Sequence, residues 1–342
     1  MKRLKTREGD FVETIDGLIF DVKGLVHPPD RVVAYLRYVE DPLGDRKRGE
    51  RTYSKVYSLN EREKILKSKF LHYLYYDPVF GEQLEGVPAN FVSKLYKPTE
   101  KILDLLQGTN LDQVESQSTE FAKILHDSSG VQFGNLGLSG SVLVNLQTED
   151  SDMDLMVYGR KNCRLVYETL KQLIQTKNSD VFPYNLKDLE KLYEFRSKDT
   201  WIPFEDFLKM ERRKFSQGKF GNRDFFVRFI LDWNEITENY GDRLYRTAGY
   251  AKIEAQIEDD TESIFTPCRY EVSDVRVLEG AEIPSIKEIA SFRGRFCEQA
   301  VKNEIVIAQG KVEKVIEKDG TEYFRLILGA KPSDFMISRG IT

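Results

Sequence analysis

Cysteine and histidine are scarce. Three cysteines (Cys163, Cys268, Cys297) and three histidines (His27, His72, His126) are scattered over 342 residues. No C-x-x-C pair occurs, so neither a disulfide framework nor a zinc site of Cys and His is expected. Long apolar runs are missing too, and none approaches the roughly 20 residues that cross a bilayer. The basic opening MKRLKTREGD is not followed by the apolar stretch of a secretory signal. A cytoplasmic chain with no membrane partner is expected. Basic excess is also absent: 51 Lys and Arg stand against 56 Asp and Glu, a net charge of −5. That argues against non-specific duplex binding by the whole chain, while allowing a local basic groove.

Hydrophobic residues make up 40% and charged residues 31%, the balance of a globular chain. The first 60 residues read as strands, with an Asp16-Gly17 hairpin turn in "FVETIDGLIFDVKG". Residues 60–130 read as helix: an Asn60 cap with Glu63, a second helix opening at Pro98 and stopping at Gly108, and a third ending at "DSSG". Strands are expected at 136–144 and 152–158, then helices at 160–178, 186–197 and 203–216, then the strand "RDFFVRFILDW". From about 240 the pattern is strand again, with a hairpin at Asp319-Gly320.

One stretch stands apart, "LGLSGSVLVNLQTEDSDMDL". Side chains alternate along a strand, so Asp152 and Asp154 share a face while Met153, Leu155 and Val157 enter the core. Two carboxylates on one face repel each other unless a divalent cation lies between them, and hard oxygen ligands suit Mg²⁺. Gly140 permits close approach of a backbone N–H to a phosphate, and the Ser141 hydroxyl is a donor to one. On their own, two aspartates at i and i+2 are as readily a solvated strand end.

Gly140-Ser141, Asp152-Met153-Asp154-Leu155 and the preceding "LGL" resemble the signature of the DNA polymerase beta-like nucleotidyltransferase superfamily, and are similar to its archaeal-type predicted members. The motif covers about 20 residues and its helix–strand context roughly 110–235; the flanking thirds are not covered. The resemblance implies transfer of a nucleoside monophosphate from an NTP to an acceptor hydroxyl by two Mg²⁺ ions (or Mn²⁺). The acceptor is left open among RNA, protein and a small molecule. It further implies a third carboxylate on a later strand. Asp224 is the candidate for catalysis and metal binding alongside Asp152 and Asp154, with Asp232 and Glu254 as alternatives. Gly140, Ser141 and Arg228, the last at even spacing from Asp224, are the candidate nucleotide-binding residues.

Other features have blander readings. Arg212, Arg213 and Lys214, with Lys219 and Arg223, are either a solvated helix end or a phosphate contact. His27 before two prolines reads as a hydrogen-bonded turn. Tyr250, Phe292, Phe296, Tyr323 and Phe324 read as strand-core aromatics or, alternatively, as a base-stacking barrel. The expectation is an α+β chain in three parts: a β-rich segment with helices (1–105), a polymerase beta-like nucleotidyltransferase core (106–238) and a β-rich C-terminal part (239–342). The competing function is a nucleic-acid-binding or regulatory protein with a non-catalytic core.

Overall fold

The computed structural model describes residues 4–281 and 283–340. The first three residues of the basic opening and the last two of the chain lie outside that range. The chain is mixed α+β and divides into two compact units. One comprises the residues up to Asp77, Gln83–Phe182 and Gly218–Tyr240; the other comprises Pro78–Glu82, Pro183–Gln217 and the chain from Gly241. This differs from the expected boundaries at 105 and 238, because the N-terminal strands pack onto the central segment. Phe11, Ile19, Tyr38 and Tyr53 share a buried cluster with Leu143, Val144 and Leu146, and buried Arg46 donates to the Leu146 carbonyl at 2.7 Å.

In the first unit, β1 (Phe11–Thr14) and β2 (Ile19–Val22) turn at Asp16-Gly17, with Gly17 in the left-handed region at φ +77°. There follow β3 (Arg31–Glu40), β4 (Arg46–Arg48), β5 (Arg51–Lys55), α1 (Leu59–Lys69), β6 (Leu74–Asp77), β7 (Glu82–Pro88) and β8 (Val92–Tyr96). These eight strands form one sheet in the order β4-β5-β3-β2-β1-β8, with β7 beside β3 and β6 beside β7. The expected helix from 60 to 130 is therefore interrupted between 70 and 97. Pro78 disfavours helix at Asp77, and Gly81 at φ +68° turns the chain between β6 and β7. The cap of α1 is Ser58, which accepts from the Glu61 N–H, two residues before the expected Asn60. Downstream the spacing signals hold. α2 (Pro98–Gln107) opens on its proline, and α3 (Gln113–Ser129) has an Asp112/Glu115 capping box and Gly130 at φ +74°.

The central segment supplies β9 (Leu136–Leu138), the one-turn α4 (Gly140–Leu143), β10 (Met153–Tyr158), α5 (Arg160–Gln175), β11 (Val181–Phe182), β12 (Gln217–Phe220) and β13 (Arg223–Ile230). They form a second sheet, β11-β12-β13-β10-β9, in which β10 and β13 run parallel. Gly140 and Ser141 were expected inside a strand. Instead β9 stops at Leu138 and Gly140, at φ +62°, turns the backbone into α4.

The second unit holds α6 (Leu186–Arg196), α7 (Phe204–Glu211), β14 (Arg243–Asp259), β15 (Cys268–Gly280), β16 (Ile286–Ser291), β17 (Ile305–Glu317), β18 (Glu322–Leu328) and β19 (Phe335–Gly340). Strands β14-β15-β16-β18-β17 close on themselves through β14–β17 pairing, with β16–β18 as the parallel pair and β19 added beside β17. This is a five-stranded Greek-key barrel with the connectivity of OB-type barrels. Alternate residues of β14 (Ala251, Ile253, Ala255, Ile257) fill it with Ala308, Val312 and Leu326.

Candidate functional site

The Gly-Ser turn and the two aspartates meet at one end of β10. Ser139 N–H donates to the Asp154 carbonyl at 2.8 Å, and its hydroxyl donates to the Gly9 carbonyl at 2.7 Å. The turn is thereby fixed between β10 and the N-terminal segment. Gly140 then lies so close to Asp154 that an added Cβ would collide with the carboxylate. Met153, Leu155 and Val157 are buried, Asp154 is half-buried and Asp152 is exposed, which puts the two carboxylates on the same face. Neither carboxylate makes a side-chain hydrogen bond or ion pair among the described residues. Burial, and next the charge of Asp152, push the Asp154 pKa up to about 6; Arg228, Lys55 and Arg37 act in the opposite direction.

Those three cations come from two sheets. Parallel pairing sets Asp154 beside Phe226 and Met156 beside Arg228, so Arg228 shares the Asp154 face. Arg228 is also ion-paired with buried Glu8 at 2.8 Å. Arg37 on β3 and Lys55 at the end of β5 belong to the N-terminal sheet. Both sit over the ring of exposed Tyr57, at 5.3 and 4.9 Å, and neither makes an ion pair among the described residues. Asp21 on β2 faces the same charges. Burial opposes its ionisation, but Lys23 at 2.7 Å, Arg228 and Arg37 outweigh that and hold its pKa below the usual carboxylate range.

The expected third carboxylate fares differently at each candidate. Asp224 precedes Phe225, the partner of Met153, by one residue, so strand alternation assigns it to the face of Asp152 and Asp154. Its carboxylate is ion-paired with Lys219 at 2.7 Å. Asp232 lies past the other end of β13, where it caps a short helical turn and pairs with Arg7 at 2.9 Å. Glu254 belongs to the barrel of the second unit and pairs with Arg276 at 2.7 Å. Among the described residues no three His, Cys, Asp or Glu side chains converge closely enough to cage a metal.

The basic cluster at 212–214 belongs to the second unit, where Arg213 pairs with Glu304 and buried Lys214 with Glu211, both at 2.7 Å, and Arg212 is exposed. Arg223 donates to Gln117 and to the Glu149 and Ser151 carbonyls, which steadies the loop before Asp152. His27 is buried, with Nδ1 accepting from Val33 N–H and Nε2 donating to the Thr6 carbonyl. It is a turn residue. Phe296 is core and Phe324 packs against it, while Tyr323 carries Lys287 at 5.4 Å.

Reading the sequence missed Arg37, Lys55, Tyr57 and Asp21. They lie about 80 residues or more upstream of the motif in segments that read as ordinary strands, and only β-sheet packing brings them to it. The one available signal was the alternation of "YLRYV" at the end of that segment, which leaves Arg37 on the face opposite Leu36 and Tyr38.

No protein-family model matches the chain, and no solved structure does. The uncharacterized protein MJ1086 of Methanocaldococcus jannaschii is 32% identical over 341 residues, which cover 97% of this chain and 98% of that protein. Similarity of that extent takes in nearly the whole chain, and the chain belongs to the family of MJ1086.

Proposed function

We propose that the chain is a divalent-metal-dependent nucleotidyltransferase with a polymerase beta-like core, transferring a nucleoside monophosphate from an NTP to a hydroxyl of RNA, protein or a small molecule. One observation carries the reading: two same-face carboxylates without side-chain partners among the described residues lie against a glycine turn where an added Cβ would collide with the Asp154 carboxylate. Asp152 and Asp154 would hold Mg²⁺, which when bound neutralises charge developing on the transferred phosphoryl group. Gly140 keeps the phosphate path open, and the Ser141 hydroxyl donates to a phosphate oxygen. Arg37 and Lys55 supply the positive charge for the triphosphate, with Tyr57 as the ring beneath them. Arg228 orients this group of charges from the floor of the site. Asp224 enters the ligand set by leaving Lys219.

A second reading, a nucleotide-binding protein without transfer, is favoured by the engagement of Asp224 with Lys219. The two separate on incubation with each α-labelled NTP and Mg²⁺ or Mn²⁺ against RNA, protein and metabolite acceptors. Label transfer that is lost in Asp154→Ala supports the enzyme. NTP-dependent thermal stabilisation with no transfer to any acceptor supports the second reading, and no NTP-dependent shift at all removes both. Arg37→Ala and Lys55→Ala should each weaken NTP binding by roughly 10-fold or more, the value of a charge-assisted hydrogen bond of ~1.5–3 kcal/mol.

A further inference from the structure

A cleft of about 210 Å³ lies within the first unit at the other end of β10, away from the aspartates, lined by Lys5, Arg7, Asp10, Lys97, Thr99, Glu100 and Trp233. Its polar groups are poorly explained by folding alone. Lys5 is exposed and holds its ammonium 4.6 Å above the Trp233 ring. Arg7 lies 4.9 Å from the same ring and 3.6 Å over Tyr158, fixed there by Asp232. Helix α2 starts in this cleft. Lys97 caps it without a side-chain acceptor and Pro98 follows, so the positive end of this ten-residue helix has no side-chain cap, and the one acidic residue of its first turn is the exposed Glu100.

Asp10 is the second and independent feature. It is only 3% exposed, yet it lines the cleft. Its Oδ2 accepts from the Arg7 N–H at 3.0 Å, and its Oδ1 has no hydrogen-bond partner among the described residues. The free oxygen of this otherwise buried carboxyl is thus left open to the cleft, where a bound group can take its hydrogen bond.

We propose that this cleft binds a phosphate-type oxyanion, held by Lys5, Lys97, the Thr99 hydroxyl and the N-terminus of α2, with Asp10 donating a hydrogen bond to it. The volume is below the roughly 300–1,000 Å³ of sites that enclose whole drug-sized ligands. It therefore admits a free oxyanion or the phosphate group of a larger molecule, with Trp233 as the wall beside it. Burial pushes the Asp10 pKa up to about 7 despite Arg7 and Lys97, so the donating form is present near neutrality. The groups facing Asp10 are Arg7, Lys5 and Lys97, with Glu100 from α2, Tyr158 from β10 and Asp232 through Arg7. Lys97 is paired with Glu100 at 3.1 Å, and the anion displaces that exposed partner. The proposal is independent of nucleotidyl transfer.

The chain has two tryptophans, so Trp201→Phe leaves Trp233 as the sole reporter. Sulfate, whose charge is constant between pH 6 and pH 8, is titrated against that emission, with chloride at matched ionic strength as the reference. The expected result is a saturable change absent with chloride, about tenfold weaker at pH 8 than at pH 6 because Asp10 loses its proton across that range. Asp10→Asn, which still donates, should bind with the pH dependence removed. Lys5→Ala with Lys97→Ala should lose binding while keeping the wild-type melt. No saturable change with sulfate, or equal affinity in the lysine double variant, overturns the proposal. Parallel titrations with inorganic phosphate and with a nucleoside monophosphate identify the source: tighter binding of the first assigns a free ion, of the second a nucleotide's phosphate.

Discussion

Gly140 and Asp154 define the site at the scale of single residues, and each can be tested there. Gly140 combines a left-handed φ with a position against a carboxylate, so alanine is disfavoured both by backbone conformation and by space. Gly140→Ala should cost about 1–3 kcal/mol and should also displace Asp154; a thermal melt reads the first effect and loss of Mn²⁺ binding the second. Asp154 ionises against its surroundings. Its pKa is raised from 3.8 to about 6, so its favourable contribution is present while it is protonated and is lost as pH rises through that value. The folded protein should therefore lose stability as pH rises from about 3 to about 7, most steeply between about pH 4 and pH 6, by up to about 3 kcal/mol at 1.36 kcal/mol per unit. In Asp154→Asn that slope should disappear, and in the wild type Mg²⁺ should reduce it. Melts recorded across that pH range, with and without Mg²⁺, check both; an identical slope in the variant would remove Asp154 as its source.

At the scale of elements, the motif was legible because strand alternation is a local property. Asp152, Met153, Asp154 and Leu155 sort correctly by period two alone, and so does the direction of Arg228 once β13 is recognised. Two things were not legible. One is the turn at Gly140: the apolar "SVLVNL" has the composition of a strand, but its residues are buried from α4 onward by Phe11, Ile19, Tyr38 and Tyr53, which a local reading cannot supply. The other is the interruption between α1 and α2, where "LHYLYY" carries helix-compatible residues and sheet pairing decides the outcome. The third carboxylate depends on an element's register and not on composition. Asp224 shares the face of the pair, while Asp232 is at the wrong end of the same strand. Lys219→Ala should free Asp224 to join the metal, tightening Mn²⁺ binding, and Asp224→Asn in that background should reverse the gain. Equal Mn²⁺ affinity in all three proteins would separate Asp224 from the metal.

At the scale of the whole molecule, the division into units does not follow the order of the chain. The backbone passes between the units five times, at 77/78, 82/83, 182/183, 217/218 and 240/241. The β-rich C-terminal third, which by composition alone reads as a separable part, is thus completed by residues from far upstream. Val79 accepts from the Tyr245 N–H at 2.8 Å, Phe80 stacks on the Tyr245 ring at 5.5 Å, and Glu82 pairs with buried Lys311 at 2.9 Å. Leu189, Ile202, Phe207 and Met210, on or beside α6 and α7, cover Ile337 and half-buried Phe335 of β19. Each such buried side chain is worth roughly 1.5–3 kcal/mol, so losing the cover removes a large part of a net stability that is about 5–15 kcal/mol for a typical domain. A fragment beginning at Gly241 should then retain strand signal in circular dichroism but melt broadly, bind a hydrophobic dye and be cut rapidly by protease at β19. Adding back residues 183–217 through a flexible linker should sharpen the melt, because those helices carry the apolar cover. A fragment from Gly241 that melts as sharply and at the same temperature as the full chain would show that the barrel needs none of its upstream residues.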